Sequence, residues 1–150
     1  MKLLLKILPP FWAIIYMTMG MGLHFIWLWR GGERFPMPWV AAGSMALGFT
    51  SMVWAWKIFH RKKTAVHPFE ESTCFVTEGP YRFTRNPMYL GMTLILFGIA
   101  FMAGTVPALL IPFLFFLTVD SAYVPFEEKK MGARFGEAYL HYRKRVRRWF

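Results

Sequence analysis

The chain has 150 residues, a one-domain length, of which 56% are hydrophobic, 19% aromatic and only 17% charged, with 7 Trp, 11 Met and 16 Phe. That balance excludes an ordinary soluble domain and a disordered chain, and a single cysteine, Cys74, excludes a disulfide scaffold and leaves a Cys/His zinc site almost nothing to work with. A formal charge of +10 is of the size seen in nucleic-acid binders, but those proteins lack long uncharged apolar runs; a membrane protein with basic flanks accounts for both features.

Three long stretches lack Asp, Glu, Lys and Arg: Ile7 to Trp29, Phe35 to Trp56, and Asn86 to Val119. The first two have the length of one transmembrane helix. The third, as one helix rising about 1.5 Å per residue, would extend roughly 51 Å, against a hydrocarbon core about 30 Å thick. It therefore reads as two passes broken at Gly104-Thr105-Val106-Pro107. The fold expected is all-α and polytopic. Transmembrane helices fall near 9-29, 38-57, 87-103 and 106-123, with a loop over 60-86 and a tail over 125-150, all in one integral membrane domain. Met1 to Ile15 resembles a signal peptide in having Lys2 and Lys6 before an apolar run. That run is of transmembrane length, however, and no clear small-residue cleavage site follows it.

With four passes, sixteen Lys and Arg fall on one side and two on the other. The positive-inside rule then places both termini and the 60-86 loop in the cytoplasm, the expected location being a bacterial inner membrane. Attraction of these segments to anionic inner-leaflet lipid explains the net charge without nucleic acid. The tail reads as an amphipathic helix along the membrane surface, with Phe135, Ala138, Tyr139, Tyr142, Val146 and Trp149 at spacings of three or four.

Two constellations carry chemistry. The run from Gly79 to Gly91 places Arg82, Arg85, Asn86, Tyr81 and Tyr89 at the mouth of the third helix, with Pro87 suited to its start. Helix N-termini present free N–H groups and a positive dipole end, so the run suits a carboxylate or phosphate; a basic anchor with interfacial tyrosines has the same composition. After the fourth helix come Glu127 and Glu128, then Tyr139 and Tyr142. Such carboxylates can cap the tail helix, or hold a cationic ligand with the help of aromatic rings. Asp120, late in the fourth helix, is expected to partner an arginine or water, and His24 to make an interhelical hydrogen bond. Gly91 and Gly98 share a face and should permit close helix packing.

The pattern G-P-Y-R-x-x-R-N-P-M-Y-x-G, followed about thirty-five residues later by E-E-x-x-M-x-x-x-F-G-x-x-Y-x-x-Y-x-x-x-V-R-R-W, closely resembles the isoprenylcysteine carboxyl methyltransferase and phospholipid methyltransferase superfamily of integral membrane enzymes. The resemblance covers roughly residues 64 to 150. It implies S-adenosylmethionine as methyl donor, in a cytoplasmic-facing pocket built from the loop, the start of the third helix and the segment after the fourth. The donor-binding residues it points to are His67, Gly79, Tyr81, Arg85, Asn86, Pro87, Tyr89, Glu127 and Glu128. Arg85 and the helix start would take the donor carboxylate, Glu127 or Glu128 its ammonium, and Tyr81, Pro87 and Tyr89 the nucleoside. Tyr139, Tyr142, Arg143 and Arg145 lie where the family's acceptor-side and catalytic residues occur.

The resemblance thus implies methyl transfer to a lipophilic small-molecule, lipid or lipidated acceptor reached from the bilayer, without a metal. Many prenylcysteine enzymes have His where this chain has Asn86, so that branch's substrate is not carried over, and carboxylate oxygen, thiol sulfur and amine nitrogen all stay open as accepting atoms. Phospholipid amine N-methylation is the nearest alternative. A non-enzymatic membrane protein binding anionic lipid or a partner through its basic tail is the alternative from another class.

Overall fold

The structure, a computed structural model, describes residues 7–62 and 75–149. Within these described residues five α-helices follow one another: α1 (Pro9–Trp29), α2 (Pro38–Arg61), α3 (Pro87–Ala103), α4 (Val106–Thr118) and α5 (Val124–Arg145). A short 3-10 turn (Gly79–Arg82) precedes α3, and a π-helical turn (Val119–Tyr123) joins α4 to α5. No strand occurs among the described residues. His67 and Cys74, singled out above, lie outside them.

All five of these α-helices carry proline at their first or second position, and in α1 to α4 that position opens a new helix. Proline there loses no intrahelical hydrogen bond and arrives with its φ already set. The break between α3 and α4 falls where the glycine and proline predict it. Gly104 adopts φ 68°, and the Phe35 N–H donates to its carbonyl at 2.7 Å. A Cβ at this position would sit 2.4 Å from the backbone nitrogen of Pro36, so glycine serves both the turn and the close approach.

α3 is the central helix, packing against α1, α2 and α4. Its contact with α2 depends on absent side chains: a Cβ on Gly91 would stand 2.7 Å from the Gly48 carbonyl oxygen, and one on Gly98 would stand 2.9 Å from that of Ala41. Ser44 and Ser51 of α2 use this proximity, donating to the carbonyls of Leu94 and Pro87 at 2.7 and 3.0 Å. At the far end His24 is buried and shares a 3.2 Å hydrogen bond with Thr105, the interhelical role expected of it.

Large apolar side chains cover the outside as well as filling the core around Phe115 and Tyr123. Trp29 and Trp39 are 87% and 88% exposed, and Phe11, Phe25, Leu47, Phe49, Leu110 and Leu117 also face outward. Water would penalise a surface of this kind and lipid would not. By length and composition two helical stretches are able to cross a membrane, Pro9–Trp29 and the continuous Val106–Arg145, while α3 is apolar but shorter.

The tail departs from the sequence expectation. It does not start as a separate amphipathic helix at residue 125, because α4 runs through the π turn directly into α5. In a regular helix Pro125 would collide with the carbonyl four residues earlier, and the wider π turn lies where that collision would occur. Gly136 (φ 51°, ψ −125°) then kinks α5, and the helix ends at Arg145. Val146 takes an extended conformation, so it and Trp149 belong to a non-helical segment that returns towards α3. α2 also continues a turn beyond residue 57, to Arg61.

Replacing Gly91 by Val should destabilise the bundle by about 1–3 kcal/mol, because the neighbouring carbonyl cannot move aside as a side chain would. In detergent the thermal midpoint should fall, whereas Gly43→Ala, where an added Cβ meets nothing within 4 Å, should leave it unchanged or raise it. A Gly91→Val protein melting like wild type would contradict this packing.

Candidate functional site

The loop before α3 is shaped by its own residues. Gly79 has φ 58° and lies so close to Ile58 and Trp54 that a Cβ would stand 2.3 Å from the Ile58 Cδ1 atom, which seats the 3-10 turn on α2. Pro87 disfavours helical geometry in the residue before it, and Asn86 is non-helical, at φ −130° and ψ 52°. The Asn86 side chain does not cap α3. It donates instead to the Arg148 carbonyl at 3.1 Å, joined there by the Thr84 hydroxyl at 2.8 Å, while the Arg85 N–H donates to the Arg147 carbonyl at 3.1 Å. The final segment of the chain is thereby strapped across the start of α3.

Charged groups converge at this junction. Arg85 Nη1 lies 2.9 Å from Glu128 Oε1, and their side chains are only 10% and 11% exposed. Arg148 approaches Glu128 from the other side, with Nε 3.2 Å from Oε1 and Nη2 3.1 Å from Oε2. Its Nη1 reaches Asp120 at 3.1 Å, and Asp120 also accepts the Trp149 indole N–H at 2.9 Å. Asp120 therefore has the arginine partner expected of it. Among the described residues one buried side-chain donor is left over: Arg85 Nε finds no hydrogen-bond partner there. An N–H shut away from water without an acceptor is costly, and a bound anion would relieve that cost.

Glu127 occupies a different setting. The Tyr89 hydroxyl donates to its Oε1 at 2.5 Å. Burial pushes the Glu127 carboxyl up to about 7, against the opposing effects of that hydrogen bond and of Lys130. The Glu127 charge also adds to the burial that raises the Tyr81 phenol, which places Tyr81 within its field.

The aromatic residues of α5 form a wall beside these groups. Phe75 packs against Phe135 and Tyr142 at centroid distances of 5.2 and 5.3 Å. The Tyr142 hydroxyl donates to the Tyr81 carbonyl at 2.7 Å, and Arg85 Nη1 donates to the Tyr139 oxygen at 3.4 Å. Burial raises both phenols, which favours their protonated, hydrogen-bonding form.

The structure brings together most of the residues singled out from sequence: Tyr81, Arg85, Asn86, Pro87, Tyr89, Glu127, Glu128, Tyr139 and Tyr142, with Gly79 supporting the turn beneath them. Arg143 and Arg145 are exposed on α5, and the charge of Arg143 acts on the Tyr139 phenol. Glu128, expected alongside Glu127 as a ligand carboxylate, has both oxygens occupied by guanidinium groups. Sequence reasoning passed over Arg148, Thr84 and the strap they form. No local signal marks them: Val146 and Trp149 continue the three-four spacing of Tyr139 and Tyr142, so the V-R-R-W ending reads as more helix.

The Glu127 carboxyl has a consequence for stability. Its native pKa lies above the ordinary value of 4.5, so the folded chain binds this proton more tightly than the unfolded one. The group's contribution is fully present below about pH 4.5 and is lost as pH rises through about 7. Between pH 5 and 8 the thermal midpoint should fall more for wild type than for Glu127→Gln; identical slopes would show that Glu127 ionises normally.

A sequence model of the phospholipid methyltransferase family matches residues 37–138, about two thirds of the chain. No curated protein and no solved structure matches it. The matched span runs from the start of α2 to just beyond the kink in α5, and so contains Arg85, Tyr89, Glu127 and Glu128. With the junction of α3 and α5 inside that span, the chain belongs to the phospholipid methyltransferase family.

Proposed function

We propose that this chain is an S-adenosylmethionine-dependent methyltransferase spanning the membrane four times, with both termini and the α2–α3 loop on the cytoplasmic side of a bacterial inner membrane. Membership of the family means methyl transfer to a lipid-type acceptor. The observation that carries the finer reading is the buried Arg85 Nε, unpaired among the described residues, where Arg85 meets Glu128 of α5 just before the start of α3. The uncharged runs, the outward apolar side chains and the distribution of Lys and Arg support the topology.

The donor set fits S-adenosylmethionine chemically. Arg85 offers an N–H to the donor carboxylate, Glu127 offers a carboxylate oxygen to its ammonium, and Tyr81, which is partly exposed, offers aromatic surface to its nucleoside, whereas Pro87 and Tyr89 are buried. Glu128, held by two arginines, is better suited to anchoring Arg85 than to receiving a ligand. Bound S-adenosylmethionine would supply an electrophilic methyl group carried on a sulfonium. The protein's share of catalysis is then alignment and the exclusion of water. Arg85 and Glu127, opposite in charge and both tied to the α3–α5 junction, orient a zwitterionic ligand end to end. Tyr139, Tyr142 and Phe75 shield the junction from solvent. Glu127, whose carboxyl is pushed up to about 7, loses its proton on pairing with an ammonium, so ligand affinity should rise as pH increases through that value.

Phospholipid amine N-methylation is a second reading of the acceptor, favoured by the description of the matched family. Both readings share the donor site. Calorimetry with S-adenosylmethionine and S-adenosylhomocysteine on the detergent-purified protein tests it. Wild type should bind in the micromolar range, and Arg85→Ala and Glu127→Gln should each lose at least about tenfold, or about 1.4 kcal/mol. Arg85→Lys, which keeps the charge but not the fork, should also bind weakly. No binding by a folded sample, in lipid as well as detergent, would overturn the reading.

A further inference from the structure

We propose that Arg148, at the end of the chain, is a positioning residue that builds the donor site by fixing Glu128 and, through it, Arg85. This rests on the donor-site reading above and adds to it a role for a segment that lies beyond the family match.

All three guanidinium nitrogens of Arg148 are engaged, Nε and Nη2 on Glu128 and Nη1 on Asp120. Its carbonyl accepts from both Thr84 and Asn86, and the preceding carbonyl, of Arg147, accepts the Arg85 N–H. Trp149 secures the end, with its indole N–H on Asp120 and its ring packed on Phe116 at a centroid distance of 4.6 Å. The strap therefore holds α3's approach by its backbone and Glu128 by its side chain.

The consequence runs in one direction. Glu128 Oε1 receives both Arg148 Nε and Arg85 Nη1, and Oε2 receives Arg148 Nη2, so the carboxylate is turned towards arginine. Arg85 is held by its Nη1 atom, between Glu128 and Tyr139, which leaves Nε as the unpaired donor. Of the two adjacent carboxylates, Glu127 is the one that no arginine engages among the described residues. Arg148 thus divides the acidic pair into one group that aligns the protein and one that meets the ligand. A lysine cannot reproduce a contact that uses three nitrogens of one plane.

The experiment compares wild type, Arg148→Ala, Arg148→Lys, Glu128→Gln, the Arg148→Ala/Glu128→Gln double variant, and Lys144→Ala as a control for loss of an exposed charge in the same tail. S-adenosylhomocysteine affinity is measured by calorimetry. Amide hydrogen exchange of residues 84–86 is followed without ligand. Arg148→Ala and Glu128→Gln should each weaken binding about tenfold, and the double variant no more than the weaker single one, since both cut the same connection. Arg148→Lys should recover part of the loss, and Lys144→Ala should stay within about twofold of wild type.

With methyl acceptor present, the donor KM should rise in Arg148→Ala with kcat little changed. Exchange at Arg85 and Asn86 should accelerate in Arg148→Ala and not in Lys144→Ala. Wild-type binding that Arg148→Ala retains in full, or losses that multiply in the double variant, would overturn the proposal. If wild type itself fails to bind, the donor reading falls, and the exchange data decide the strap alone: accelerated exchange supports it and unaltered exchange overturns it. Should Arg148→Ala not fold, Arg148→Lys and Asp120→Asn carry the same comparisons.

Discussion

The buried pair between Arg85 and Glu128 holds the site together, because it ties the start of α3 to the helix that continues from α4. Neither charge could stay where it is alone. Removing one member of such a buried pair typically costs about 3–5 kcal/mol, since the other is left uncompensated away from water. Around that pair the remaining features fall into order: Arg148 completes the coordination of Glu128, Asp120 completes that of Arg148, and Trp149 completes that of Asp120. Four charged groups are thus paired at one end of an otherwise apolar bundle. Arg85 keeps one N–H in reserve.

The bundle's contribution is to bring that end into register. α3 carries Pro87, Tyr89 and the turn containing Arg85, and its position depends on how closely it lies against α2. Glycine at 48, 91 and 98 brings the two backbones together, so that carbonyls of one helix lie where side chains of the other would be. In a chain whose outer surface is apolar, burial of side chains alone cannot direct helix association, because lipid offers them a similar environment. Close backbone packing, the Ser44 and Ser51 hydrogen bonds and the His24–Thr105 contact do so instead. The site is accordingly a property of the helix arrangement more than of the loop.

How much of this was legible in the sequence depends on how local the cause is. Gly104 followed by Pro107 announces a helix break, and α3 and α4 part there. Gly91 and Gly98, seven residues apart, lie on one face, and that face meets α2. Arg85, Tyr89 and the Glu127–Glu128 pair stood out by residue type and spacing, and they are close in space. What escaped was long-range or required a special conformation. Pro125 reads as a stop, yet a π turn lets the helix pass. Gly136 reads as an ordinary helix position, yet takes a positive φ. Val146 and Trp149 continue the three-four spacing of Tyr139 and Tyr142 and so read as helix, although backbone and side-chain bonds to Thr84, Arg85, Asn86 and Asp120 draw their segment out of it. Nothing local distinguishes Arg148 from its exposed basic neighbours; only its partners, twenty residues or more away, do.

The reaction proposed for this small bundle is methyl transfer, at the α3–α5 junction, to a molecule residing in the membrane. The most direct measurement uses purified protein reconstituted into vesicles of total bacterial lipid extract. Trideuteromethyl-labelled S-adenosylmethionine is supplied outside, and the lipid fraction is analysed by mass spectrometry. Wild type should form a lipid-soluble product heavier by one labelled methyl group, and Arg85→Ala should not. No labelled product from folded, donor-binding protein, across lipid extracts and added lipophilic acids, thiols and amines, would contradict that reaction.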